Sequence, residues 1–215
     1  MDIRSNQFFY SKKEDRLNVI SHAFGFILSI IGLIFLIIKG LENFNLTYFF
    51  SLLIYGLSLS IMYIASTLYH SSATADRRYQ LRMFDMISIY VLIAGSYTPF
   101  TLVLLKDNGG LILFGMIWLL AFFGIAWKVF TVGKYNLVTT SLYIFMGGLW
   151  LFFYESFVNQ IPPDALWWIT AGCLTYLAGV IFYLLDNKLK YNHFIWHLFV
   201  LAASSCHYIS IYFYI

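Results

Sequence analysis

The residues in this chain that could do chemistry are histidines set in apolar sequence. HFIWHLFVLAASSCHY, residues 193 to 208, carries His193, His197 and His207 in a stretch hydrophobic enough to lie in a bilayer. Ionisable groups are costly in hydrocarbon and usually face a protein interior, where they bind or react. His193 and His197 stand four residues apart and share one face of a helix. Such a pair can supply two ligands to one metal ion. A third imidazole from another helix, for which His70 is the candidate, would complete the three-ligand set of a catalytic zinc site and leave a position for water. One Zn2+ per chain is therefore expected, although neutral imidazoles also accept copper, iron and nickel. Asp85 is the carboxylate for this cluster and could take a proton from an attacking water or orient it. Its competing role is an ion pair with Arg82 or Arg78. Ser66, one turn from His70 on the same face, could donate to a developing oxyanion, or it could bond the carbonyl four residues back. His207 lies ten residues beyond His197, about 15 Å along a helix, so it is read as a packing or cavity residue.

Positioning these groups takes a membrane scaffold. Of the 215 residues, 61% are hydrophobic and 11% charged, and the mean hydropathy is +0.77. Soluble domains carry roughly 25% charged residues, so lipid must be the solvent here. Seven apolar runs, at 19–39, 45–70, 82–105, 110–130, 136–157, 165–185 and 193–214, each approach the roughly 20 residues that a helix needs to cross. KGLENFN, SSATADRRYQ, KDNGG, VGKYN, NQIPPD and DNKLKYN separate them, rich in Gly, Pro, Asn, Asp and charge. The short alternating strands of a closed barrel are not seen. The expectation is all-α: a single seven-transmembrane-helix domain over residues 1–215, with residues 1–18 as a polar cytoplasmic segment that lacks the features of a signal peptide. Cys173 and Cys206 read as small buried hydrophobes.

Eleven of the thirteen basic residues fall on one side of these runs: Arg4, Lys12, Lys13 and Arg16 before the first, then Arg77, Arg78, Arg82, Lys128, Lys134, Lys188 and Lys190 in alternate loops. The positive-inside rule then puts the N-terminus in the cytoplasm and the C-terminus outside. That orientation is opposite to the G-protein-coupled receptors, so no G protein is expected. Short basic loops of this kind reflect topology and give no reason to expect nucleic acid. Trp150, Trp167 and Trp168 fall near the outer ends of their spans, where an aromatic belt belongs.

With direction assigned, Asn18, Ser21, His22, Ser66, His70, Asp85, His193 and His197 all converge on one layer near the cytoplasmic face. In the first span, Glu14, Asn18, Ser21, His22, Gly25, Ser29 and Gly32 form a polar and small stripe of the kind that faces other helices. Glu14, Asn18, Ser21 and His22 are expected to support the ligands, His22 by bonding Asp85 or substrate. Pro99 is expected to kink the third span and open space beside the site. Asp186 and Glu155, at span ends, are expected to be solvated.

EDRLNVISHAFG, STLYHSSATADRRYQLRMFDMISIYVLIAGSYTPF and HFIWHLFVLAASSCH resemble the three signature blocks of the hemolysin III family, with S-x3-H, a following Asp and H-x3-H-x9-H in order. That family is the bacterial branch of the progestin and adiponectin receptor (PAQR) proteins and is distantly similar to alkaline ceramidases. The resemblance covers nearly the whole chain. It implies zinc held by His70, His193 and His197, with Ser66 and Asp85 beside it and Glu14, Asn18 and His22 matching the first block. It also implies a multi-pass protein of the bacterial plasma membrane, linked to haemolysis and to membrane lipid homeostasis.

Three functions compete. The first is a zinc-dependent hydrolase acting on a lipid amide or ester that enters from the bilayer. The second is a pore-forming cytolysin or channel, which would need a continuous polar path, whereas the polar residues cluster at one face. The third is a sensor or receptor of membrane state with a structural metal. A three-ligand site favours the first, because structural zinc is usually closed by a fourth protein ligand.

Overall fold

A computed structural model describes residues 10–131, 135–186, 188 and 190–215. It contains seven helices long and apolar enough to cross a membrane: α1 (Lys12–Glu42), α2 (Leu46–Ser71), α3 (Ala75–Leu104), α4 (Lys106–Phe130), α5 (Asn136–Gln160), α6 (Pro163–Leu184) and α7 (Asn192–Tyr214). No strand occurs among the described residues. Short turns join successive helices, so the start of α1 and the end of α7 lie at opposite ends of the bundle.

Two helices begin seven residues before their apolar runs. α1 starts at Lys12, where the Ser11 hydroxyl accepts the Glu14 amide at 3.2 Å. Glu14 and Asp15 in that first turn favour the positive end of the helix dipole. Polar residues with good helix propensity and a cap thus extend the helix beyond the hydrocarbon-length segment. α3 likewise begins at Ala75, carrying Arg78 and Arg82 into the helix.

The stripe on α1 is the face that packs. Glu14, Asn18, Ser21, His22, Gly25, Ser29, Gly32, Leu36 and Gly40 are its buried residues, while Ile20, Phe24, Ile27, Ile31 and Ile34 point outward. Lipid tails are as apolar as leucine, so close backbone approach rather than hydrophobicity brings such helices together. At Gly25 an added Cβ would sit 2.5 Å from the Tyr63 ring of α2 and 2.8 Å from Leu201 of α7. α2 and α3 form the centre, burying Leu52, Tyr55, Leu59, Met62, Tyr63, Tyr90 and Leu92. α6 packs mainly on α7, with Gly172 against His207 and Gly179 against Trp196 and Phe199.

Pro99 does interrupt α3: the backbone passes into a π-helical turn over Phe100–Leu104, closed by Leu105 N–H donating to the Phe100 carbonyl at 2.9 Å. Pro99 follows Asp85 by fourteen residues, about 21 Å of helix. The interruption therefore lies at the other end of the bundle, and it does not open space beside the histidines.

Candidate metal centre

The start of α7 is held locally. Tyr191, its N-cap, has φ 66°. The Asn192 side chain donates to the Leu185 carbonyl at 2.9 Å. This anchoring aims the first two turns of α7, and with them His193 and His197, at the last turn of α2, where His70 sits.

The three imidazoles meet. Ring centroids are 5.0 Å apart for His70 and His193, 5.0 Å for His70 and His197, and 4.7 Å for His193 and His197. One nitrogen from each lies within 4.8 Å of the others. A tetrahedral zinc with Zn–N of about 2.0–2.1 Å needs nitrogens about 3.4 Å apart, a closure that small side-chain rotations supply. All three residues are buried, at 3%, 7% and 1% exposure for His70, His193 and His197.

Partners on the outer nitrogens set which nitrogen is free. The Tyr10 hydroxyl donates to Asp186 Oδ2 at 2.5 Å and lies 2.8 Å from His193 Nδ1. Burial, with the Asp186 carboxylate adding to it, pushes the Tyr10 phenol above its ordinary value, so it keeps its proton. With that hydrogen directed at Asp186, the phenol oxygen can only accept from His193. Nδ1 therefore carries the hydrogen, shared with Asp186 Oδ2 at 3.2 Å, and the Nε2 lone pair is free. His70 Nδ1 lies 3.2 Å from Asp15 Oδ1, an acceptor, which makes Nδ1 its donor nitrogen too. His70 Nε2 is buried without a hydrogen-bond partner among the described residues. The Asn18 amide is 3.4 Å from His70 Nδ1. His197 Nδ1 faces Ser21 Oγ at 3.2 Å, and Ser21 donates onward to the Asn18 carbonyl at 3.0 Å. Three neutral imidazoles with Nδ1–H held outward and Nε2 free form a donor set suited to zinc, with outer partners of the kind that orient metal-ligating histidines.

Other groups expected at the site divide. Ser66 is 2% exposed and Asp85 half-buried, and no hydrogen bond among the described residues joins the Asp85 carboxylate to the three imidazoles. His193 and Arg82 are among the groups that act on Asp85 electrostatically. Arg78, one of its possible ion-pair partners, is instead committed to Asp15 at 2.7 Å and to the Ser72 carbonyl at 3.3 Å. Asn18 lies against His70 and Ser21 against His197. Glu14 is buried on the same face of α1 but makes no side-chain hydrogen bond to the three histidines among the described residues. His22 does not bond Asp85: its ring stacks on His197 at 3.5 Å and 14°, and neither ring nitrogen has a hydrogen-bond partner among the described residues.

Three participants were missed. Asp186 is not a solvated span end; it bonds both His193 and Tyr10. Asp15 links Arg78 to His70. Tyr10 packs its ring on His193 at 4.7 Å and on His70 at 5.6 Å. Asp15 stands one turn before Asn18 on the stripe, and Asp186 stands in the short connection to His193; both positions were signals.

Seven membrane-crossing helices around a buried three-histidine cluster at one end define a class of multi-pass membrane protein. The chain belongs to the haemolysin-III-related family, whose pattern matches residues 10–208. It is 37% identical over 203 residues to "Hemolysin-3" of Bacillus cereus, covering 94% of this chain and 92% of that protein. To "Hemolysin-3 homolog" of Bacillus subtilis (strain 168) it is 36% identical over 205 residues, covering 95% and 96%. It is also 32% identical over 169 residues to human "Monocyte to macrophage differentiation factor", covering 75% of this chain and 69% of that one. That similarity supports the link to the PAQR proteins.

Proposed function

We propose that this protein is a zinc-dependent hydrolase of a lipid amide or ester in the bacterial plasma membrane, oriented with its histidine end in the cytoplasm and acting in membrane homeostasis. The observation that carries the reading is the buried meeting of His70, His193 and His197, with one nitrogen of each within 4.8 Å of the others. His70, His193 and His197 would hold the ion. When bound, zinc supplies a Lewis acid that polarises a carbonyl and makes water a nucleophile near neutral pH. Asp85 accepts the proton of the attacking water and delivers it to the leaving group. Ser66, one turn from His70 on α2, would orient Asp85 or donate to a developing oxyanion. Burial of the cluster among helices favours a substrate that arrives from the bilayer rather than from water.

The test has two parts. Detergent-purified protein is expected to carry about one zinc per chain by mass spectrometry, a stoichiometry in line with a single three-histidine site. It is then given long-chain acyl amides and esters, with release of fatty acid as the readout. Asp85→Asn is expected to lose at least about a hundredfold in rate while retaining zinc. Stoichiometric zinc with no hydrolysis in either protein would leave a metal-stabilised sensor as the better reading. Lysis of erythrocytes or liposomes undiminished in Asp85→Asn would favour the cytolysin, the activity that the Bacillus cereus relative's name carries.

A further inference from the structure

Tyr10 stands apart from the rest of the centre because it precedes the first helix. It lies before the Ser11 cap, yet its side chain reaches residues 176 and 183 positions away in sequence. Its hydroxyl joins Asp186 to His193 Nδ1, and its ring covers His193 and His70 on one side. Tyr69 packs edge-on against His70 at 4.5 Å and stacks under the Arg78 guanidinium, so another flank of the same imidazole is already closed. His70 has no exposed side-chain surface and His193 only 9%.

We infer that Tyr10 is a positioning residue and a seal for the histidine cluster: its hydroxyl holds the His193 ring in its ligand orientation through Asp186, and its aromatic ring closes the polar end of the site, so that this N-terminal segment controls how fast a bound metal exchanges with water. The inference rests on reading the triad as a metal centre, but its two parts separate by chemistry. The hydroxyl gives orientation. The ring gives closure. Groups hydrogen-bonded to a ligand imidazole typically change metal affinity by about 10–100-fold when removed. Tyr10 itself precedes the helix, so its side chain can move without breaking the ladder of intrahelical bonds.

Tyr10→Phe and Tyr10→Ala separate the roles. In the zinc-loaded full chain, loss of zinc to excess chelator is followed with a colorimetric indicator. Tyr10→Phe, which keeps the ring, is expected to release zinc about tenfold faster than the parent, and Tyr10→Ala up to about a hundredfold faster. In the metal-free chain, diethyl pyrocarbonate modification of His193 and His70 is read by peptide mass spectrometry. Here Tyr10→Phe should stay as protected as the parent and Tyr10→Ala should be labelled several-fold faster, with His207 as an internal reference that stays unchanged. Parental zinc release in Tyr10→Phe overturns the positioning role. Parental labelling of His193 and His70 in Tyr10→Ala overturns the seal. If the parent holds no zinc, the metal reading and the positioning role fail together, and the labelling result alone decides the seal.

Discussion

The two ends of α7 put the same side chain to different uses. At its start, His193 and His197 each have a partner on Nδ1 and meet His70 across the bundle. Further along, His207 is also largely enclosed, but its surroundings are a packing contact. Its ring sits in the space left by Gly172 of α6, where an added Cβ would lie 2.2 Å away. The ring meets Tyr176 edge-on at 5.6 Å and places Nε2 3.9 Å from Cys173 Sγ. Among the described residues only the first end gathers three or more potential ligand side chains. Burial of a membrane histidine is therefore not what marks a ligand. What sets the first end apart as a candidate metal site is convergence of several imidazoles together with a group beside each Nδ1.

The sharpest way to break this contrast is to remove imidazoles from each end. His193→Ala combined with His197→Ala should abolish zinc binding, since one remaining imidazole is a poor zinc site, whereas His207→Ala should leave the zinc content intact. Equal loss from both, measured by metal analysis, would erase the distinction. Next in size, Asp186→Ala should weaken zinc about 10–100-fold in a chelator competition by freeing the His193 ring. Gly172→Ala should act only at the far end. The new methyl must displace the His207 ring, an overpacking cost of about 1–3 kcal/mol, seen as a lower Tm in detergent with unchanged zinc. The smallest effect is expected for Ser11→Ala, which removes the hydroxyl that accepts the Glu14 amide at the start of α1. Loss of a cap costs about 1 kcal/mol, so Tm should fall slightly and zinc release should rise only modestly.

Much of this contrast was legible in the residues. A four-residue spacing put His193 and His197 on one face, and hydrocarbon-length runs placed His70 and Asp85 at the same depth. The α1 stripe, read from small and polar residues at helical spacing, is the buried face from Glu14 to Gly32. What escaped lay where hydrophobicity stops reporting. Asp15 sits in a helical turn that continues beyond the apolar run, and Asp186 and Tyr10 sit in connecting segments. Their partners are 55, 7 and 183 residues away; except for the Asp186 to His193 interval, no local periodicity encodes such pairs. Charge at a span end usually means water, and at Asp186 tertiary packing overrides that expectation. His22 was misjudged in its contact: its depth was right, but ring stacking on His197 rather than hydrogen bonding is what its position yields. Pro99 shows the complementary limit, because a residue type foretold the interruption but not the end of the bundle it would affect.

The hydrogen bond between Ser21 and His197 joins the first helix to the last, and it has a consequence for biogenesis. A chain that has emerged only as far as α6 possesses one of the three imidazoles and most of their supports, yet nothing for those supports to hold. The centre comes into being only when α7 enters the membrane and docks against α1 and α2. Metal capture would then report that insertion is complete, and a polypeptide stalled one crossing short would remain empty however much zinc surrounds it.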